Sequence, residues 1–433
     1  MIATPTPLKQ RDIALFFFPL LLNVQFMSVS HSIINAALAR QQDYIVALAA
    51  FSVAMVLHLF LASPSYQNHT ITIAMVRGAQ SLRSVLIFAA LVATYVSIML
   101  ALVAFTPVGD FVLGRILGVS GAIADQARDV LAILVFLPFV TGLRGVAQGL
   151  VIQARRTSLV SFATGVRIGA LLAVLLLCHR WWDGARLGAI GLLTCVSVET
   201  LVISLCALQV RVRHAGGVER TPGEVLRYAF PLAYSSCLQQ TIPLLINAII
   251  SRLPEAPLAL AAFGIIRGFL FLLAGPMRNL QQATMTLVAT AADHVVLITF
   301  FRRVAAGMAL IMLLIALPPL NGLILGQVMG LDTAMRSYIA WPLVLCMLYP
   351  ALYGAANLLR GRFASTHRTA SLGVSTIIKT FYMLLCWAIL VPLAPPIPGV
   401  FVAVGLLLSA EALEVLYLRR QLRRLNLGYT TTP

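Results

Sequence analysis

Charge is the scarcest property of this chain. Only 10% of its 433 residues are Asp, Glu, Lys or Arg, and only 14 are acids. Soluble domains carry about 25% charged residues, so a protein free in water is excluded. Catalytic and metal-binding patterns are missing as well. The six cysteines (Cys178, Cys195, Cys206, Cys237, Cys346, Cys386) lie in or beside apolar runs with no CxxC spacing, which reads as small buried hydrophobes and not as disulfides or metal ligands. Seven histidines include no HExxH or comparable pair. The absence of a Gly-rich nucleotide loop speaks against an ATP-driven pump, and the absence of a nucleophile–base constellation against an enzyme. No cofactor and no metal are expected. The first apolar run is too long for a signal-peptide core and has no small-residue cleavage motif, so it reads as a retained helix.

What the chain has instead is hydrocarbon: 60% of its residues are hydrophobic. Apolar runs of roughly 20 residues recur, long enough to cross about 30 Å of lipid. They predict an all-α polytopic membrane protein with helices near 13–37, 45–70, 84–106, 128–152, 158–178, 188–210, 225–250, 257–285, 303–320, 337–360, 369–392 and 397–418. The net charge of +17 is unevenly placed: loops on one expected side carry 19 of the 31 Lys and Arg, and the opposite loops carry 7. The positive-inside rule then puts both termini in the cytoplasm of a plasma (inner) membrane. The tail "RRQLRR" (419–424) faces the anionic cytoplasmic leaflet. Nucleic-acid binding is excluded for want of a soluble basic domain.

The chain also repeats itself. "FPLLLNVQFMSVSHSIINAALAR" begins at Phe18 and "FPLAYSSCLQQTIPLLINAIISR" at Phe230, an offset of 212. At that offset Pro64 falls on Pro276, Gly149 on Gly361, Arg167 on Lys379 and Glu199 on Glu411, without a gap. Two six-helix lobes are expected, residues 1–210 and 225–433, joined by a cytoplasmic linker at 211–224. Six is even, so the repeat is parallel, with its pseudo-twofold axis along the membrane normal. Lobes so related usually enclose a central site and rock against each other, which favours alternating-access transport; a duplicated bundle can also be a channel or a scaffold.

Within the first helix of each lobe, polar residues share a face. Gln25, Ser28, Ser32 and Asn35 step at helical spacing, as do Ser236, Gln240, Pro243 and Asn247. Such a face either hydrogen-bonds between helices or lines a water-filled cleft, and its recurrence in both lobes favours the cleft. Pro64 and Pro276 lie mid-helix in polar runs, where proline frees a carbonyl and kinks the chain, as a hinge would require. His31 and His58 read as proton-sensitive groups or as polar core residues.

Five basic residues fall inside spans: Arg144, Arg167, Arg267, Arg278 and Lys379. Each needs a partner or a task. Arg167 with Glu199, and Lys379 with Glu411, read as symmetry-related ion pairs fixing the fifth helix of each lobe to the sixth. Arg144, Arg267 and Arg278 align with Ala356, Met55 and Tyr66. Asymmetric cations suit one anionic substrate on a pseudo-twofold axis, bound through guanidinium forks.

The chain resembles the progressive ankylosis (ANK) proteins, within the superfamily that also holds MATE multidrug exporters and lipid-linked oligosaccharide flippases. The residues carrying the likeness are "FPL" at 18–20, "LAR" at 38–40, Ser63-Pro64, "FPL" at 230–232, "IN…SR" at 246–252 and "LLRGRFASTHRT" at 358–369. The resemblance implies twelve helices in two lobes and export of small polyanions such as citrate, nucleotides or pyrophosphate. The first helix lacks the acid by which many MATE exporters couple to protons or sodium, and the polar positions from Ser28 to Ser32 differ from the animal ANK pattern. The expected function is a secondary transporter exporting a small multivalent organic anion. A coupling proton or cation is possible, and a monomer is favoured. The alternatives are a MATE-like drug or metabolite antiporter, a lipid-linked substrate flippase, and a non-transporting membrane scaffold or receptor.

Overall fold

A computed structural model describes residues 8–117, 119–178, 181–210 and 219–426. Among them the only regular structure is helical. The first repeat contains α1 (Gln10–Leu38), α2 (Tyr44–Ala62), α3 (Asn68–Met75), α4 (Ala79–Phe105), α5 (Ala122–Leu134), α6 (Leu137–Gln153), α7 (Thr157–Cys178) and α8 (Ala185–Gln209). The second contains α9 (Pro222–Ile250), α10 (Ala256–Ala274), α11 (Asn279–Leu287), α12 (Ala291–Ala316), α13 (Thr333–Leu345), α14 (Tyr349–Ser365), α15 (Thr369–Leu393) and α16 (Gly399–Arg424).

The repeat extends to the irregularities. A 3₁₀ break at Ser63–Gln67 separates α2 from α3, and one at Gly275–Arg278 separates α10 from α11. Pro64 and Pro276 sit buried in the first turn of those breaks, where a missing N–H and fixed φ end the preceding helix. π-helical turns at Asp110–Ile116 and Gly322–Val328 keep the same offset. So does a close approach: a Cβ on Gly149 would lie 2.5 Å from Thr72 Cβ, and one on Gly361 would lie 2.6 Å from Thr284 Cβ. Only glycine lets α3 meet α6, and α11 meet α14, at this distance.

The chain is an integral membrane protein. Among the described residues ten helices or near-straight helix pairs are long and apolar enough to span, or eleven with the α5–α6 pair, bent by 46°, counted as one span. The twelfth expected span, α9, is 29 residues long. It carries Ser235, Ser236, Gln239, Gln240 and Thr241 mid-helix, which keeps it below the hydropathy of the others.

Two compact units emerge, Phe18–Cys237 and Met1–Phe17 with Leu238–Pro433. The boundaries of these units fall inside α1 and α9; of the expected linker at 211–224, residues 211–218 lie outside the described residues. The start of each repeat's first helix packs with the other repeat. In the unit containing Met1–Phe17, Asp293 Oδ1 accepts the Leu8 N–H (3.3 Å), Gln10 Nε2 donates to Val296 O (2.8 Å), and Phe17 meets Phe300 edge-on at 5.4 Å. In the other unit, Glu219 Oε2 accepts the Ser81 N–H at the start of α4 (2.7 Å), and Gln67 Nε2 donates to Ser236 Oγ (2.7 Å). Ser81 and Asp293 are repeat equivalents, each at a helix N-terminus where N–H groups lack intrahelical partners. Each unit buries its own apolar core, one around Phe51, Leu100, Leu131 and Leu171. The other unit has cores around Ile266, Met312 and Leu343 and around Ile246, Phe263 and Met383.

Candidate functional site

Buried charge collects in one place in each unit, where the fourth, fifth and sixth spans of the repeat pack together. In the first unit the centre is Glu199 on α8. Its Oε2 accepts from Arg144 Nη1 of α6 at 2.8 Å and from Arg167 Nη1 of α7 at 3.1 Å. Its Oε1 faces the Thr164 hydroxyl at 2.9 Å and Gln148 Nε2 at 3.4 Å. Thr164 Oγ1 in turn lies 2.6 Å from Asn23 Oδ1 of α1. Cys195 Sγ lies 3.2 Å from Leu192 O. The carboxylate is saturated, but the cations are not: Nε of Arg144 and Nε of Arg167 are buried without a hydrogen-bond partner among the described residues. Two guanidiniums answer to one carboxylate.

The second unit solves the same problem differently. Glu414 on α16 takes a bidentate fork from Arg360 of α14, with both contacts at 2.7 Å, and Lys379 Nζ of α15 at 2.9 Å. Lys379 also contacts Glu411 Oε1 at 2.5 Å. Two cations meet two carboxylates, and this network is neutral. At the repeat offset, Glu414 corresponds to Val202, Arg360 to Gln148 and Ala356 to Arg144. The cation on the fourth span has thus moved one helical turn, and the second acid occurs in one repeat only. Arginine does not deprotonate in proteins, so the first unit carries its extra positive charge at every working pH. Burying an unbalanced ion costs several kcal/mol even after relaxation.

The structure makes both Arg167–Glu199 and Lys379–Glu411 direct contacts. It corrects two other assignments. Arg144, read from the sequence as lacking an acid, shares Glu199 with Arg167, because α6 packs against α8 as closely as α7 does. Arg360, at the very end of the helix expected over 337–360, lies within α14 with its side chain only 11% exposed, because that helix runs on to Ser365. Sequence reasoning also missed Thr164, Gln148 and Asn23. Thr164 could have been found at one turn before Arg167; Asn23 carries no signal of its own.

Arg267 and Arg278 are exposed and make no hydrogen bond or ion pair among the described residues. Arg267 stands on α10 between Gly264 and Gly268, where a Cβ would meet only open space, with Tyr349 in electrostatic range. On α1, Ser28 and His31 are half-buried and Asn35 is exposed; on α9, Gln240 is exposed and Asn247 half-buried. The Ser28 hydroxyl is spent on Val24 O of its own helix. His58 is fully buried in α2, and neither ring nitrogen has a partner among the described residues. No group of three or more His, Cys, Asp or Glu able to hold a metal occurs among the described residues.

Known proteins resemble this chain in sequence over part of its length and in fold over nearly all of it. The family model of progressive ankylosis protein (ANKH) matches residues 4–197. No curated protein sequence matches. A MOP superfamily transporter from Pyrococcus furiosus, described as having a binding pocket of reverse polarity, superposes with a TM-score of 0.74 at 16% identity, over 96% of each chain. A Vibrio cholerae MATE transporter, solved as a D35N mutant, gives 0.72 at 15% identity, over 97% of this chain and 98% of that one. The fold is that of the MATE transporters of the MOP superfamily.

Proposed function

We propose, from this transporter fold, that the protein is a secondary transporter of small multivalent organic anions such as citrate, nucleotides or pyrophosphate. It works by alternating access as an exporter in the inner membrane, with both termini cytoplasmic and without an enzymatic step. The observation that carries the reading is the buried guanidinium pair around one carboxylate. An isolated excess cation in a membrane-spanning bundle is retained only when something answers it. Two unsatisfied Nε–H donors are the chemistry that binds a carboxylate or phosphate oxygen.

Arg267 supports the same sign of cargo. It stands about 17 Å along α10 at 1.5 Å per residue, too deep to reach the headgroups easily, and its exposed guanidinium is incompatible with lipid. Its face of α10, with Arg278 further on, lines an aqueous path in this reading. The polar faces of α1 and α9 contribute Ser28, His31, Asn35, Gln240 and Asn247, and the breaks at Pro64 and Pro276 serve as hinges. His58 adds a buried polar group to α2. No carboxylate occurs between Ile13 and Leu38 of α1, so a site for a cationic drug has no anion there.

A thermal-shift screen of the purified protein against citrate, nucleotides, pyrophosphate and cationic dyes tests the assignment. A ligand at 100 times its dissociation constant stabilises by about 2.7 kcal/mol. Stabilisation by an anion is expected; stabilisation by cationic dyes alone contradicts the reading.

A further inference from the structure

A cavity of about 430 Å³ lies in the second repeat, away from the buried network, where α12 begins and α14 and α16 end. Three helix faces build it: His294, Ile298, Phe301 and Arg302 of α12; Ala355, Leu358, Leu359 and Arg362 of α14; Arg419, Leu422 and Arg423 of α16. On each helix these residues recur at three- and four-residue steps, so each helix turns one continuous stripe to the cavity. The lining contains four guanidiniums and one imidazole, no carboxylate, and six apolar side chains. The neighbouring acid, Asp293, is occupied by the N–H groups of Leu8, Ala289 and Thr290. The guanidiniums of Arg302, Arg419 and Arg423 make no hydrogen bond or ion pair among the described residues, and all three are exposed.

We infer that this cavity binds the phosphate-bearing headgroup of an anionic phospholipid. A phosphate oxygen set matches guanidinium forks. The apolar wall then has a purpose that a free phosphate would not give it: Ile298, Phe301 and Leu358 continue the cavity along helices that span the bilayer, where the first carbons of an acyl chain lie. The cavity is on the side where the chain's last helix ends, the side whose leaflet is anionic if the basic loops are cytoplasmic.

The test removes equal charge from inside and outside the cavity. The full-length protein is titrated with phosphatidylglycerol in phosphatidylcholine nanodiscs, and bound lipid is counted by native mass spectrometry. Arg302→Gln/Arg419→Gln/Arg423→Gln should weaken phosphatidylglycerol binding by about a hundredfold, from the usual worth of basic residues near anionic lipid. Arg303→Gln/Arg420→Gln/Arg424→Gln, one residue along at each place, should weaken it several times less. Equal weakening by the two triples would reduce the site to diffuse surface attraction and overturn the inference. Displacement of the lipid by inorganic phosphate at comparable concentration would reassign the site to a soluble anion and overturn it too. Melting temperature in phosphatidylcholine alone checks folding. If the lining triple does not fold, Arg423→Gln alone, exposed at a helix end, should still weaken binding by about fivefold.

Discussion

Replacing Glu199 by glutamine removes the one anion of the first network and changes little else in size. The structure fixes what is lost: contacts to Arg144 at 2.8 Å and Arg167 at 3.1 Å, leaving side chains that are only 7% and 2% exposed. Stranding one member of a buried ion pair costs about 3–5 kcal/mol, and here two cations are stranded together, so the upper end is expected. Arg144→Gln should behave oppositely. It leaves a single carboxylate with a single guanidinium, so stability should stay level or rise. Glu199→Gln with Arg167→Gln still strands Arg144 and recovers only part of the loss, whereas neutralising all three positions recovers most of it. Chemical and thermal unfolding in detergent, read by tryptophan emission and by the soluble fraction, gives the ranking. If Arg144→Gln costs as much as Glu199→Gln, the guanidinium excess is not a liability in the free protein, and the reasoning about the network fails.

The second network is neutral, so Lys379→Met should cost about 3–5 kcal/mol by leaving Glu411 with no cation, and Glu411→Gln in the same chain should recover part of it. Gly149→Ala forces a Cβ to within 2.5 Å of Thr72 Cβ. Overpacking of that kind costs about 1–3 kcal/mol, and Gly361→Ala should match it by symmetry, both read as melting temperature. Arg267→Ala should leave stability unchanged while anion affinity falls by about 1.5–3 kcal/mol, the worth of a charged hydrogen bond; Arg267→Lys should restore part, having no fork. Isothermal titration with the best-stabilising anion measures it, and normal affinity in a folded Arg267→Ala protein removes that residue from the site.

Much of this architecture can be read directly from residues. The offset that aligns Pro64 with Pro276 also aligns the 3₁₀ breaks, the π-helical turns and the two glycine crossings, because each depends on a residue whose backbone chemistry has few substitutes. The pairs Arg167–Glu199 and Lys379–Glu411 could be read for the same reason: a charge in a span needs a partner, and both members recur. Arg144 could not be placed because its partner was already taken; sequence pairing offers one acid to one base, whereas a carboxylate has room for two. The true asymmetry of the repeats, one acid against two, was split among Arg144, Arg360 and Glu414, and no single alignment column displays it. The division into packing units has no sequence signal of its own. A change of packing partner within α1 between Phe17 and Phe18, or within α9 between Cys237 and Leu238, leaves the helical pattern unbroken.

The central claim is that the surplus guanidinium in the first repeat answers an anion that the protein moves. Uptake of labelled citrate and pyrophosphate into proteoliposomes, by the wild type and by Arg144→Gln matched for folded protein, tests this most directly. The account predicts uptake of at least one of these anions by the wild type and its loss, by about tenfold or more, in a variant that melts no lower. Undiminished anion uptake by Arg144→Gln, or a wild type that carries only cationic compounds, would contradict it.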